Sequence, residues 1–244
     1  MSDTVISAYW SFKHFMSANG VNLPYQIYIP AGYTPEKKYP CILYMHSAGV
    51  KCADGSQIKT PEAKFLRVLE EGKYADDVIV IAPCCPSGES WVRPRNNALL
   101  FDFLSVMPEP YMAAALELFE SCMTDLSIDR ERLYTYGMSM GAHAVWDLIS
   151  RNPGVFAAAV PAAGAGDPSA VHLMDKTAIW IFHGAVDDIV PCECGKIMKR
   201  ALDNIGRTDV KYTEFPTLSH GIWSATALTE GLFDWMFSKT LKNS

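Results

Sequence analysis

Three residues of this sequence have the types and the chain order of a system that activates a hydroxyl nucleophile: Ser139, Asp187 and His220. The serine sits in Gly137-Met138-Ser139-Met140-Gly141. A turn tight enough to hold a serine in a strained backbone leaves no room for Cβ atoms two residues to either side, so glycine is needed at both flanks. With glycine at about 7% of residues, such a pentapeptide arises by chance in roughly one chain of this length in ten. The pattern acquires meaning from its surroundings. Arg132 to Tyr136 alternates β-favouring residues and reads as a buried strand, and from Met140 the apolar residues Met140, Ala142, Ala144, Val145, Leu148 and Ile149 follow helical spacing. That helix is expected to stop near Asn152, because the residue before Pro153 is pushed out of the α region.

A serine hydroxyl is a poor nucleophile near neutral pH and needs a base to take its proton. Six histidines are present: His14, His46, His143, His172, His183 and His220. In one recurring chain order of such triads the acid follows the nucleophile and the histidine follows the acid. The acid should leave the end of a strand beyond the serine. Asp187 fits, in His183-Gly-Ala-Val-Asp187-Asp188-Ile-Val-Pro191, and His220 is the only histidine after it. Asp188 is an alternative acid, and Asp167 another if the acid lies one strand earlier. His46 and His183, at strand ends, read as structural residues hydrogen-bonded to nearby backbone.

The elements that must position these residues alternate along the chain. Leu23 to Pro30 reads as an antiparallel or edge strand, Ala31 to Tyr39 as a turn, and Cys41 to Met45 as a strand buried on both faces. His46-Ser47-Ala48-Gly49 follows, then a polar loop to about Thr60. Pro61 to Glu71 reads as a helix and Val78 to Ala82 as a buried strand. An irregular stretch from Pro83 to about Pro110 carries Trp91, Arg93, Arg95, Asn96, Asn97 and Phe101, and its length makes it a candidate for shaping a pocket. Beyond it come a helix over Tyr111 to Leu126, the serine turn and its helix, a strand over Phe156 to Val160, and a small-residue loop over Ala162 to Leu173. The chain closes with a strand over Ile179 to Phe182, a helix over Cys194 to Ile205, a strand over Val210 to Phe215 and a helix over Ala225 to Phe237. Strands alternating with helices imply an α/β fold with a mostly parallel central sheet and helices on both faces. The expectation is a single domain over residues 1–244 with no large lid domain. All three triad members then leave C-terminal strand ends, where open α/β sheets place their sites.

Composition narrows the function classes. The chain has 244 residues, 49% of them apolar, a net charge of −6 and a pI near 5.5, with Lys and Arg unclustered. This argues against nucleic acid as a partner. No run approaches the roughly eighteen apolar residues of a membrane span. The N-terminal Met1-Ser-Asp-Thr-Val-Ile-Ser-Ala-Tyr-Trp10 lacks the basic start and apolar middle of a signal peptide, so a cytoplasmic location is expected. Seven cysteines, at 41, 52, 84, 85, 122, 192 and 194, show no zinc-site spacing. Cys41 and Cys122 read as core residues. Cys84-Cys85 and Cys192-Glu-Cys194 are the places where redox or metal behaviour would arise, and neither is expected. No metal and no organic cofactor is expected.

Taken together, these blocks resemble the α/β-hydrolase superfamily, and within it the small esterases related to prolyl-oligopeptidase-type hydrolases. The matching segments are Leu23-Pro-Tyr with Tyr39-Pro40, His46-Ser-Ala-Gly49, Ala82-Pro-Cys-Cys-Pro86 with Trp91, Ile128-Asp129-Arg130 with Arg132-Leu-Tyr, Gly137 to Gly141, His183 to Pro191, and His220. The resemblance implies an α/β-hydrolase fold with Ser139, Asp187 and His220 catalytic. It implies an oxyanion hole made by the backbone N–H of Met140 and of Ala48, with Ser47 the less favoured donor. The implied activity is hydrolysis of carboxylic esters with small or medium acyl groups, acetyl or feruloyl esters of carbohydrate among them. The alternative is a serine peptidase of the prolyl-oligopeptidase type. Trp91, Phe101 and Trp223 are the aromatic candidates for pocket walls, with ordinary core packing as the competing reading. Three departures from the family pattern stand out: Ser47 in place of a glycine, Ala142-His143 where a further glycine is common, and Cys84 in place of glutamine.

Overall fold

The computed structural model describes residues 4–5, 9–50, 60–93 and 101–242. Arg95, Asn96, Asn97, Cys52 and most of the N-terminal decapeptide lie outside them. Nine strands among the described residues form one sheet: β1 (Thr4–Val5), β2 (Trp10–Met16), β3 (Asn22–Tyr28), β4 (Tyr39–Met45), β5 (Ile79–Pro83), β6 (Ile128–Met138), β7 (Ala158–Ala162), β8 (Ala178–Gly184) and β9 (Lys211–Phe215). Their spatial order is β1-β2-β3-β5-β4-β6-β7-β8-β9. β4 to β9 are parallel, and β1 to β3 extend one side antiparallel.

The helices are α1 (Lys64–Glu70), α2 (Pro110–Asp125), α3 (Met140–Arg151), α4 (Glu193–Asn204), α5 (Trp223–Ala227) and α6 (Leu232–Phe237). β4 shows how they cover the sheet. Its seven residues are all buried, as a continuous apolar run requires. Cys41, Leu43 and Met45 join α2, α3 and α4 in one core, while Ile42 and Tyr44 join α1, α5 and α6 in the other. The period-two alternation of a strand therefore feeds two separate cores.

The crossover β4 to β5 steps one way and the crossover β5 to β6 steps back past β4. Right-handed connection then puts α1 on one face and α2 on the other. The order reverses at β4, and a crevice opens there, beyond the carboxyl ends of β4 and β6. Ser139 follows β6 and His46 follows β4 at that crevice.

Several elements differ from the sequence expectation. β3 is the antiparallel strand of the two alternatives and not an edge, because β2 pairs with it along seven residues. β2 alternates half-heartedly, with Lys13, His14 and Met16 at least partly exposed, and gives little periodic signal. β6 begins at Ile128 rather than Arg132, its first turn hidden in Asp129-Arg-Glu-Arg132, where Asp129 pairs with Arg132 at 2.7 Å. Pro61–Ala63 is a 3₁₀ turn leading into α1. Pro168–Leu173, expected as loop, is also 3₁₀. The closing helix is two helices, broken where Gly231 adopts φ 74°.

α3 approaches β4 so closely that a Cβ on Gly141 would overlap the Met45 carbonyl, and one on Gly137 would overlap the Gly141 carbonyl. Both obstacles are backbone and cannot rotate away. Gly141→Ala is expected to destabilise the protein by about 3 kcal/mol, seen as a lower urea midpoint at unchanged m-value. An unchanged midpoint would mean that the helix start can withdraw from β4 without cost.

Candidate functional site

β6 delivers Ser139 into the left-handed region, at φ 55° and ψ −120°. Among the described residues only Ala163, at φ 52°, shares positive φ without being glycine. Such a conformation costs on the order of 1–3 kcal/mol and persists only where its surroundings fix it. Here the Ser139 N–H donates to Ala162 O at 2.9 Å, and its carbonyl accepts from the N–H groups of Ala142 and His143 at 2.8 and 3.1 Å. The Ala142 of α3 is accommodated because Gly164 faces it, where any Cβ would collide with the Ala142 side chain.

His220 Nε2 lies 2.8 Å from Ser139 Oγ. Its Nδ1 lies 2.9 and 3.1 Å from the two carboxylate oxygens of Asp187. The tautomer that satisfies both ends has Nδ1–H donating to Asp187 and Nε2 accepting from the serine hydroxyl. The Asp187 side chain is fully buried, and its Oδ1 also accepts from the N–H groups of Ile189 and Val190 at 3.0 and 2.9 Å. The loop carrying His220 can reach Asp187 because Gly184 ends β8; a Cβ there would overlap the carbonyls of Leu218 and Ser219.

The two alternative acids are occupied elsewhere. Asp188 accepts from the Ser219 hydroxyl. Asp167 accepts from Ser169 N–H at 2.9 Å and Phe103 N–H at 3.1 Å, anchoring a loop. His183 donates its Nε2–H to Val190 O at 2.9 Å, with Asp187 Oδ2 at 3.4 Å.

His46, buried after β4, shapes the facing loop. Its Nδ1–H donates to Ser47 O at 2.8 Å, and its Nε2 accepts from Cys85 N–H at 2.9 Å. In a trans peptide the carbonyl and the following N–H point in opposite directions. Pinning the Ser47 carbonyl against the imidazole therefore turns the Ala48 N–H the other way, toward the cleft that Ala48 lines. Neither that N–H nor the N–H of Met140, first residue of α3, donates to any group among the described residues.

The cleft has a volume of about 270 Å³. Ser47–Gly49, Met138, Ser139 and His220 form its floor, with Trp223, Ile189 and Glu62 around it. Of the three aromatic candidates only Trp223 lines it. Trp91 is fully buried, its indole N–H donating to His46 O at 3.1 Å, and Phe101 packs against Phe103 and His143 in the core. Glu62 and Ile189 had no sequence signal: a glutamate in a first helical turn and an isoleucine in a loop after two aspartates are ordinary where they stand.

Among the described residues no group of three or more His, Cys, Asp or Glu side chains is placed to hold a metal ion. Cys84, where no redox behaviour was expected, is disulfide-bonded, while Cys85, Cys192 and Cys194 are free thiols. Burial pushes the Cys85 thiol up to about 12.

Burial lowers His46 and His143 from 6.5 to about 4 each, and lowers His183 as well. It raises buried Asp147 to about 6, against the opposing pull of Arg151 at 2.6 Å. Between pH 6.5 and 4 the unfolded chain binds protons on these imidazoles that the folded chain does not. Their contribution to stability is complete above pH 6.5 and is lost as pH falls toward 4. Asp147 works in the opposite sense, as one group against three. Stability is expected to fall between pH 7 and pH 4.5, by on the order of 3 kcal/mol per fully shifted histidine, which a lower melting temperature would register. A flat profile over that window would contradict the burial of neutral imidazoles.

No protein-family model matches the sequence, and none of the curated proteins does. Solved structures do. A thermostable esterase matches at 27% identity and a TM-score of 0.79, over 95% of this chain and 63% of that one. The chain thus spans less than two thirds of that esterase. An S-formylglutathione hydrolase from Agrobacterium tumefaciens matches at 15% identity and 0.67, over 98% of both chains. The feruloyl esterase module from Clostridium thermocellum, an S954A mutant complexed with sinapinate, matches at 13% and 0.62, over 89% of this chain and 86% of that one. The chain has the α/β-hydrolase fold.

Proposed function

We propose that this protein is a serine hydrolase of carboxylic esters, with residues 1–244 acting as one catalytic unit. The observation that carries the reading is the unbroken line Ser139 Oγ–His220–Asp187 facing two unoccupied backbone N–H groups. Ser139 is the nucleophile, His220 the base and then the acid, and Asp187 the group that fixes the imidazole. His220 Nε2 takes the hydroxyl proton as Oγ bonds to the ester carbonyl carbon. The Met140 and Ala48 N–H groups hold the resulting oxyanion. Collapse breaks the bond to the alcohol oxygen, which leaves with the proton from His220. Water then enters, gives a proton to the same nitrogen and attacks the acyl-enzyme; collapse releases the acid and returns the proton to Ser139. No metal or cofactor enters these steps.

Similarity to esterases, feruloyl esterases among them, supports ester over peptide substrates, and acetyl or feruloyl esters of carbohydrate as the first substrates to try. Similarity to a putative dipeptidyl aminopeptidase IV at 18% identity covers only 36% of that chain and concerns the fold. No helix among the described residues is long and apolar enough to cross a membrane. The disulfide at Cys84 favours an oxidising compartment over the cytoplasmic location expected from the sequence.

The test is hydrolysis of p-nitrophenyl esters from acetate to octanoate, with methyl ferulate and a prolyl anilide beside them. Ester cleavage is expected, falling at least 10³-fold in Ser139→Ala with an unchanged melting temperature. Most of the activity surviving in that variant, or anilide cleavage alone, would reject the ester reading. His46→Ala is expected to lower kcat about 10–100-fold with little change in KM, because it frees the Ser47–Ala48 peptide to turn and removes a donor that acts on the transition state. A loss confined to KM would place His46 in substrate binding instead.

A further inference from the structure

The cleft beside Ser139 contains one carboxylate for which the proposed reaction has no use. Glu62 occupies the 3₁₀ turn before α1 and lines the same cleft as Ser139, His220 and Trp223. A Cβ on Gly49 would lie 3.5 Å from Glu62 Oε1, so the carboxylate sits over the loop that carries Ala48. Glu62 is half-buried, yet its carboxylate has no hydrogen bond or ion pair among the described residues. The residue is held through its backbone instead, its carbonyl accepting from Tyr44 Oη at 3.3 Å. Nearby Arg67 directs its guanidinium to the carbonyls of Thr60 and Pro61 at 2.6 and 3.3 Å.

A partly desolvated, unpaired carboxylate costs stability, and a partner that donates to it recovers that cost. Trp223 lines the same cleft, and an indole suits the C–H face of a polyol or a protonated amine. We propose that Glu62 is a specificity-determining residue that selects esters carrying a hydrogen-bond donor, hydroxyl or ammonium, beside the scissile group. This rests on the esterase reading above and names the substrate class it would favour.

Matched ester pairs test it. 2-(Dimethylamino)ethyl butyrate against 3-methylbutyl butyrate places the ammonium on the alcohol side. Methyl 4-(dimethylamino)butyrate against methyl 5-methylhexanoate places it on the acyl side. Glycerol monobutyrate against propyl butyrate replaces it with hydroxyls. The readout is the ratio of kcat/KM within each pair, in the wild type, Glu62→Gln and Glu62→Ala. Glu62→Gln removes the charge, Glu62→Ala removes the acceptor, and neither touches the backbone bond to Tyr44. A general loss of folded enzyme cancels in the ratio.

In at least one pair, the ratio is expected to favour the donor-bearing ester in the wild type and to fall about 10-fold or more in a Glu62 variant, chiefly through KM. The pair that responds tells ammonium from hydroxyl. Ratios unchanged in both variants, with hydrolysis still abolished by Ser139→Ala, would overturn the role of Glu62 and leave the esterase reading standing. Absence of ester hydrolysis by the wild type, or its survival in Ser139→Ala, would overturn both.

Discussion

Two backbone segments without side chains between them set the geometry of this molecule's crevice. Gly141 brings the first turn of α3 against the carbonyl of Met45 at the end of β4, and Gly137 lets β6 turn sharply enough to feed that helix. Because both contacts are backbone to backbone, no side-chain rotation could make room for a Cβ at either glycine. Ser139 is caught between them in the left-handed region, and three backbone hydrogen bonds hold it there. The strand order reverses at β4, so the crevice opens at the same place. His220 and Asp187 are brought to it by a third close approach, of the His220 loop over Gly184 at the end of β8.

What could be read from the sequence was whatever depended on runs and order. β4, β5 and β8 are buried on both faces, so they appear as continuous apolar runs. Nucleophile, acid and histidine follow the ends of β6, β8 and β9 in chain order, and the geometry brings Ser139, Asp187 and His220 into one hydrogen-bonded line. Weaker signals were lost where two structural demands overlap. β2 lies toward one side of the sheet and carries partly exposed polar residues, so its alternation is blurred. The start of β6 is charged because it projects beyond the core. The closing helix reads as one because its apolar spacing runs across Gly231, whose positive φ only the fold reveals.

Side-chain direction was the other missing quantity. Trp91, Phe101 and Trp223 are equivalent as letters, yet one is sealed beneath His46, one packs on His143, and one faces the cleft. An aromatic in an irregular stretch carries no periodicity from which to infer its face. Glu62 and Cys84 were obscured for the same reason: their significance lies in what surrounds them across the fold, a cleft wall in one case and a disulfide in the other.

Burial sorts the histidines around the crevice. His46 and His183 are enclosed and His143 is half-buried, and the cost of placing charge in their surroundings lowers each from its ordinary value. Such imidazoles serve as neutral hydrogen-bonding fixtures: His46 holds a peptide plane, and His183 holds the Val190 carbonyl beside Asp187. His220 differs in having a carboxylate on Nδ1, a hydroxyl on Nε2 and a side chain partly open to the cleft. The proposed reaction calls for that combination, because its general base must take a proton and release it with the substrate within reach. In the proposed reaction His46, His143 and His183, by remaining neutral, would place no second imidazolium beside His220 to oppose the proton transfer from Ser139.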